Sequence, residues 1–109
     1  MSESEIQDAI RLALPASRVV LWRNNVGTAR HLGRFVRYGL APGSSDLVGI
    51  LRGSGRFVAL EVKTPKGKLH DEQKSWLRLV RDAGGFAAVV RSVQEAVDAI
   101  ARAERGENE

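Results

Sequence analysis

The segment "RFVALEVKT", residues 56–64, decides the fold. It is an apolar run between the turn-forming "RGSG" at 52–55 and the loop-forming "PKGK" at 65–68, so it reads as a strand. Side chains at i and i+2 of a strand share a face. Val58, Leu60 and Val62 therefore point one way, into a core, while Phe57, Ala59, Glu61 and Lys63 point the other. A carboxylate and an ammonium stand side by side on a strand that is otherwise apolar.

Upstream of "RGSG", the run "DLVGIL" (46–51) reads as the hairpin partner and begins at an acid. Downstream, "HDEQKSWLRLVRDAGG" (70–85) reads as a helix with Gln73, Trp76, Leu77 and Val80 on one stripe, ended by Gly84-Gly85. The unbroken apolar run "FAAVVRS" (86–92) suits a strand covered on both faces. Ser92 with Glu95 forms a capping box that opens a last helix, reaching to about residue 103, with the stripe Val93, Ala96, Val97 and Ile100.

At the other end, Ile6, Ala9, Ile10, Ala13 and Leu14 mark a helix over 2–14, capped by Ser2 with Glu5 and stopped by Pro15. "RVVLWRNN" (18–25) and "RFVRY" (34–38) read as strands, "VGTARHLG" (26–33) as a turn or mobile loop, and "GLAPGSS" (39–45) as a loop. The order is α-β-β-β-β-α-β-α. Strands followed by a β–α–β crossover predict an α/β fold, a mixed sheet flanked by helices. One domain over 1–103 is expected, with a frayed polar tail at 104–109.

Composition narrows the function. The chain of 109 residues has no cysteine, which excludes disulfides, thiolate metal sites and a cysteine nucleophile. No apolar run reaches membrane-spanning length and no signal-peptide pattern opens the chain, so a soluble cytoplasmic protein is expected. Net charge is +4 and unevenly spread. No acid lies between Asp8 and Asp46, whereas Arg11, Arg18, Arg23, Arg30, Arg34 and Arg37 fall there. A basic stretch of this kind is the footprint of a phosphate-binding surface.

Asp46 and Glu61 are the only acids between Asp8 and Asp71. The hairpin brings their strands together, and two carboxylates would repel unless something positive lay between them. A divalent cation with oxygen ligands does this, leaving positions open for water and a phosphate oxygen, as Mg²⁺ prefers. Lys63 would stand beside it and neutralise charge as a phosphodiester reacts. The competing reading is an ion pair of Glu61 with Lys63 on a solvated face, with Asp46 capping the loop before its strand.

"GSSDLVGI" followed by "FVALEVKTPKGKLHDEQKSWL" resembles the VRR-NUC domain, a branch of the PD-(D/E)xK nucleases, in its stand-alone phage and bacterial form. The resemblance runs from Glu5 to about Ile100. It implies a restriction-endonuclease-like core that binds Mg²⁺ or Mn²⁺ and cuts DNA. Asp46 and Glu61 would then be metal ligands, with the Val62 carbonyl, and Lys63 the catalytic lysine. Glu5 matches an acid on the family's first helix, and Gln73 a glutamine early in the helix after E-x-K. Both also suit helix capping. The family has Pro where this chain has Ser45.

Arg23, Asn24, Asn25, Arg30, Arg34, Arg37, Lys66 and Lys68 are candidate DNA contacts, His31 lying among them, although Asn-Asn before Gly27 also fits a plain turn. His31 and His70 lack ligand-spaced partners, and "PKGK" lacks the remainder of a P-loop, so zinc chemistry and nucleotide hydrolysis are not expected. Trp76 belongs to a core stripe, and Trp22 is free to stack on bases. The resemblance further implies a homodimer acting on branched DNA such as a four-way junction, in replication, repair or recombination. Two rival functions share the same residues: a nucleic-acid-binding module that does not cut, and a nuclease subunit that needs a partner.

Overall fold

A computed structural model describes residues 1–109. In chain order it contains α1 (Glu3–Ala13), β1 (Val19–Arg23), β2 (Gly27–His31), β3 (Arg34–Tyr38), β4 (Leu47–Leu51), β5 (Phe57–Val62), α2 (Asp71–Asp82), β6 (Phe86–Val90) and α3 (Val93–Glu104). No helix is long and apolar enough to cross a membrane.

The helices begin where their caps place them. Ser2 and Glu5 form the reciprocal capping box of α1. Ser92 Oγ accepts from the Glu95 N–H at the start of α3, and the Glu95 carboxylate accepts from the Arg91 N–H. The α2 helix ends at Ala83, after which Gly84 takes φ +100°, a left-handed turn that a side chain would oppose.

The sheet order is β1-β4-β5-β6. The β1/β4 and β4/β5 pairs are antiparallel, and α2 carries the chain over to β6, parallel to β5. This is the mixed α/β sheet of a nuclease-like core. Val58, Leu60 and Val62 of β5 pack with Ile6 and Ile10 of α1 and Ile100 of α3. Ala59, on the opposite face, packs with Leu77 and Val80 of α2 and Ala87 of β6, and Trp76 joins this cluster. The period-two division of β5 thus separates two hydrophobic layers.

Two segments differ from expectation. Residues 27–31, expected as a turn or loop, form β2. It pairs with β3 in a two-stranded ribbon separate from the main sheet. "GTARH" has no apolar alternation because the ribbon has no buried face. The tail after Glu104 does not fray either. The Arg56 guanidinium donates to the Glu107 carbonyl at 2.7 Å and to the carbonyls of Gly84, Gly85 and Ala103. The Ala87 N–H donates to the Asn108 carbonyl at 3.1 Å, and Glu109 pairs with Arg81. The tail thereby satisfies part of the outer edge of β6, a strand edge that would otherwise be open.

Candidate metal centre

The loop before β4 is braced by Asn24. Its Nδ2 donates to Ser44 Oγ at 2.7 Å and to the Ser45 carbonyl at 3.0 Å, while its Oδ1 accepts from the Leu40 N–H. The Asn24 N–H donates to the Asp46 carbonyl at 2.8 Å. Asn24 was expected among the DNA contacts. Its amide is instead spent inside the protein, where it sets the position of Asp46. Ser45, at the family's proline position, is fully buried and its hydroxyl has no partner.

Asp46 Oδ2 accepts from the Val62 N–H at 2.9 Å. Since Leu47 pairs with Leu60, one further step of the antiparallel register sets Asp46 opposite Glu61. Glu61 is only 2 % exposed and Lys63 6 %, so a solvated surface pair is excluded. Oε1 of Glu61 accepts from Gln73 Nε2 at 2.9 Å and lies 3.9 Å from Lys63 Nζ. Oε2 is buried and has no partner.

Burial, followed by the negative charge of Asp46, pushes the Glu61 carboxyl up to about 8, against the opposing charge of Lys63. An unpartnered oxygen on a buried carboxylate beside a second carboxylate is a site short of positive charge. A proton supplies it in one state, a cation in another. The donors are all oxygens, which fits Mg²⁺ or Mn²⁺ rather than a softer metal. No group of three or more Asp, Glu, His or Cys side chains converges on a metal-sized site. A cation between Asp46 and Glu61 would therefore draw its remaining ligands from backbone carbonyls, water or substrate.

Gln73 makes a contact of each kind the sequence left open. Its Oε1 accepts from the His70 N–H at 2.9 Å, capping α2, while its Nε2 holds Glu61. Glu5 takes only the capping role among its contacts: it is exposed and its Oε1 accepts from the Ser2 N–H at 3.0 Å. The α1 acid whose charge is felt at Glu61 is Glu3. Sequence reasoning passed it over, although Glu3 lies three residues before Ile6 and so continues the buried stripe. Arg91 was also missed, and no local signal marks it. Its Nη1 donates to the carbonyls of Thr64 and Gly67, both at 2.7 Å, clipping the loop that follows Lys63.

The model of the VRR-NUC domain matches residues 1–94 of the 109, spanning the sheet and every group just described. The chain belongs to the VRR-NUC family. No curated protein matches it. Membership makes this a nuclease-type domain. The VRR-NUC match stops just inside α3, so the rest of that helix and the tail lie outside it. Of the other candidates, Arg23 ends β1, Asn25 follows it, and Arg30, Arg34 and Arg37 lie on the ribbon. Lys66 and Lys68 project from the loop clipped by Arg91. All are exposed, and none takes part in an ion pair.

Proposed function

We propose that this VRR-NUC domain is a metal-dependent DNA endonuclease that hydrolyses phosphodiester bonds. The observation that carries the reading is Glu61: a buried carboxylate facing Asp46, with one oxygen held by Gln73 and the other bare. Asp46, Glu61 and the Val62 carbonyl would hold Mg²⁺ or Mn²⁺. When bound, the cation would supply an acidified water and offset phosphate charge. Lys63 stabilises the extra negative charge that develops on the phosphate oxygens. Its buried stem keeps the ammonium at the mouth of the site without the mobility of a surface lysine. Gln73 fixes the carboxylate plane of Glu61, and Glu3 adds negative charge that favours the cation.

The substrate is proposed to be branched DNA of the four-way-junction kind, met in replication, repair or recombination. A homodimer would act on it, with two sites facing opposite strands. Support for a second copy comes from the apolar side chains this sheet face exposes: Trp22 is 50 % exposed, and Ile50 and Phe57 of the same face are also exposed.

The test is cleavage of end-labelled junction, fork and linear duplex with Mg²⁺, Mn²⁺ or chelator. Wild-type protein should cut only with metal, and Lys63→Ala should lose roughly 100-fold or more, the size of a removed charge-stabilising donor. Binding of all three DNAs with no cutting would replace the nuclease by a binding module. Equal rates on all three would remove the branch preference.

A further inference from the structure

The β2–β3 ribbon is unlike every other element. Its ten residues bury no side chain, and all but Gly27 are exposed. A two-stranded hairpin alone in water is marginally stable, yet this one carries Phe35 at 75 % exposure and Leu32 at 89 %. Its turn is Leu32-Gly33, with φ of +50° and +76°, the two-residue geometry that matches strand twist. Leucine is strained there, where Asn or Gly is the usual choice, and its side chain is presented at the tip.

The pairing register sorts the ribbon into two faces. Thr28 pairs with Arg37 and Arg30 with Phe35, and these four share one face; the Arg30 guanidinium lies 5.4 Å from the centre of the Phe35 ring. Gly27, Ala29, His31, Arg34, Val36 and Tyr38 make up the other, with the Tyr38 ring across Gly27. The ribbon carries no acid, and Arg30, Arg34 and Arg37 have no anionic partner. One face thus combines guanidinium groups, a threonine and an aromatic ring, the set that reads base edges and thymine methyls. A protein surface would need acids opposite all three arginines and would leave this pattern unexplained.

We infer that the ribbon enters the major groove of duplex DNA, with the Thr28–Arg30–Phe35–Arg37 face toward the bases. The major groove is about 12 Å wide and admits a two-stranded β-ribbon, whereas the minor groove, about 6 Å wide, does not. Five residues per strand reach about 16 Å from the body, enough to cross the groove while the body lies over the adjoining backbone. The inference rests on the DNA-cleaving reading above. In that reading the ribbon orients the duplex, and Asp46, Glu61 and Lys63 act on the strand beside it.

The test measures affinity by fluorescence anisotropy in chelator, so that nothing is cut. Three duplexes of one sequence are used: unmodified, carrying glucosylated hydroxymethylcytosine to fill the major groove, and saturated with netropsin to fill the minor groove. Wild-type protein should bind the glucosylated duplex at least tenfold more weakly, and the netropsin duplex within about twofold of the unmodified. Arg30→Gln/Arg34→Gln/Arg37→Gln should bind the unmodified and glucosylated duplexes alike. The slope of log affinity against log salt should become shallower, by about 0.9 for each of the three arginines that neutralises a phosphate. Phe35→Ala, which leaves the charges in place, should lose part of the glucose sensitivity with an unchanged slope. Unaltered melting of each variant's main-body transition shows that the fold persists.

Glucose sensitivity that survives in the triple variant would overturn the inference, because the body would then be the sensor. So would a wild type indifferent to glucose. Either result, with metal-dependent cutting of unmodified DNA intact, leaves the nuclease standing. A wild type that neither binds nor cuts DNA overturns both.

Discussion

At the scale of single residues, Glu61 joins folding to chemistry. Its carboxyl titrates at about 8 in the folded protein against 4.5 ordinarily, so the folded state holds a proton that the unfolded state gives up. Linkage then has one sign: stability falls as pH rises above about 4.5, and the loss is complete only above about 8. Without metal, the melting temperature should decline across that window, and Glu61→Gln should flatten the decline. Adding Mg²⁺ should raise the melting temperature most at the alkaline end, where the cation no longer competes with the proton, and should do little for Glu61→Gln. Parallel pH curves for the two proteins would show that Glu61 is not the titrating group. Much of this residue could be read in the sequence. The spacing of Glu61 and Lys63, and the isolation of Asp46, pointed to one site. Burial could not be read, because it depends on α2 lying across that face.

Among the elements, α2 has two tasks that meet at Gln73. The same side chain caps the helix and holds the carboxylate, so its loss should be felt twice. Gln73→Ala should cost about 1 kcal/mol of stability, the usual value of a lost cap. It should also slow metal-dependent cleavage about tenfold or more, because Glu61 loses its orienting donor. Thermal melting and single-turnover cleavage, measured together, separate the two effects. Lost stability with full turnover would confine Gln73 to capping. The helices were legible because their stripes and caps are local. The ribbon strand β2 was not, since "GTARH" becomes a strand only through pairing with β3 and turning at Leu32-Gly33. The Asn24 brace was also hidden. Its partners Leu40, Ser44 and Ser45 lie 16 to 21 residues away, and Asn-Asn by itself reads as a turn.

In the whole molecule, Arg56 ties the β4–β5 hairpin to the C-terminus. Its guanidinium satisfies four carbonyls, from the end of α2, from α3 and from the tail. Hydrogen bonds to a charged group contribute about 1.5–3 kcal/mol each at best, and the set is partly exposed. Arg56→Ala should therefore destabilise by about 2–4 kcal/mol in urea denaturation, without changing the metal dependence of cleavage. Removing 105–109 should destabilise less, by about 1–2 kcal/mol, and should promote association through the uncovered β6 edge. An undiminished unfolding midpoint in both variants would show that the tail contributes nothing.

What the sequence determined by itself is what depends on near neighbours. The helix caps and stops, the division of β5 into two faces, the β4–β5 hairpin that sets Asp46 opposite Glu61, and the basic stretch all follow from order and spacing within single, continuous segments. Tertiary structure decided the rest. It chose Glu3 over Glu5 as the α1 acid felt at Glu61, since a helix sets which residues share a face and only packing sets where that face looks. It turned Asn24 inward, clipped the loop after Lys63 with Arg91, and folded the tail onto β6. It also left the β2–β3 ribbon outside the core. These outcomes rest on pairings between distant segments, whose geometry is settled when the sheet and helices close on each other.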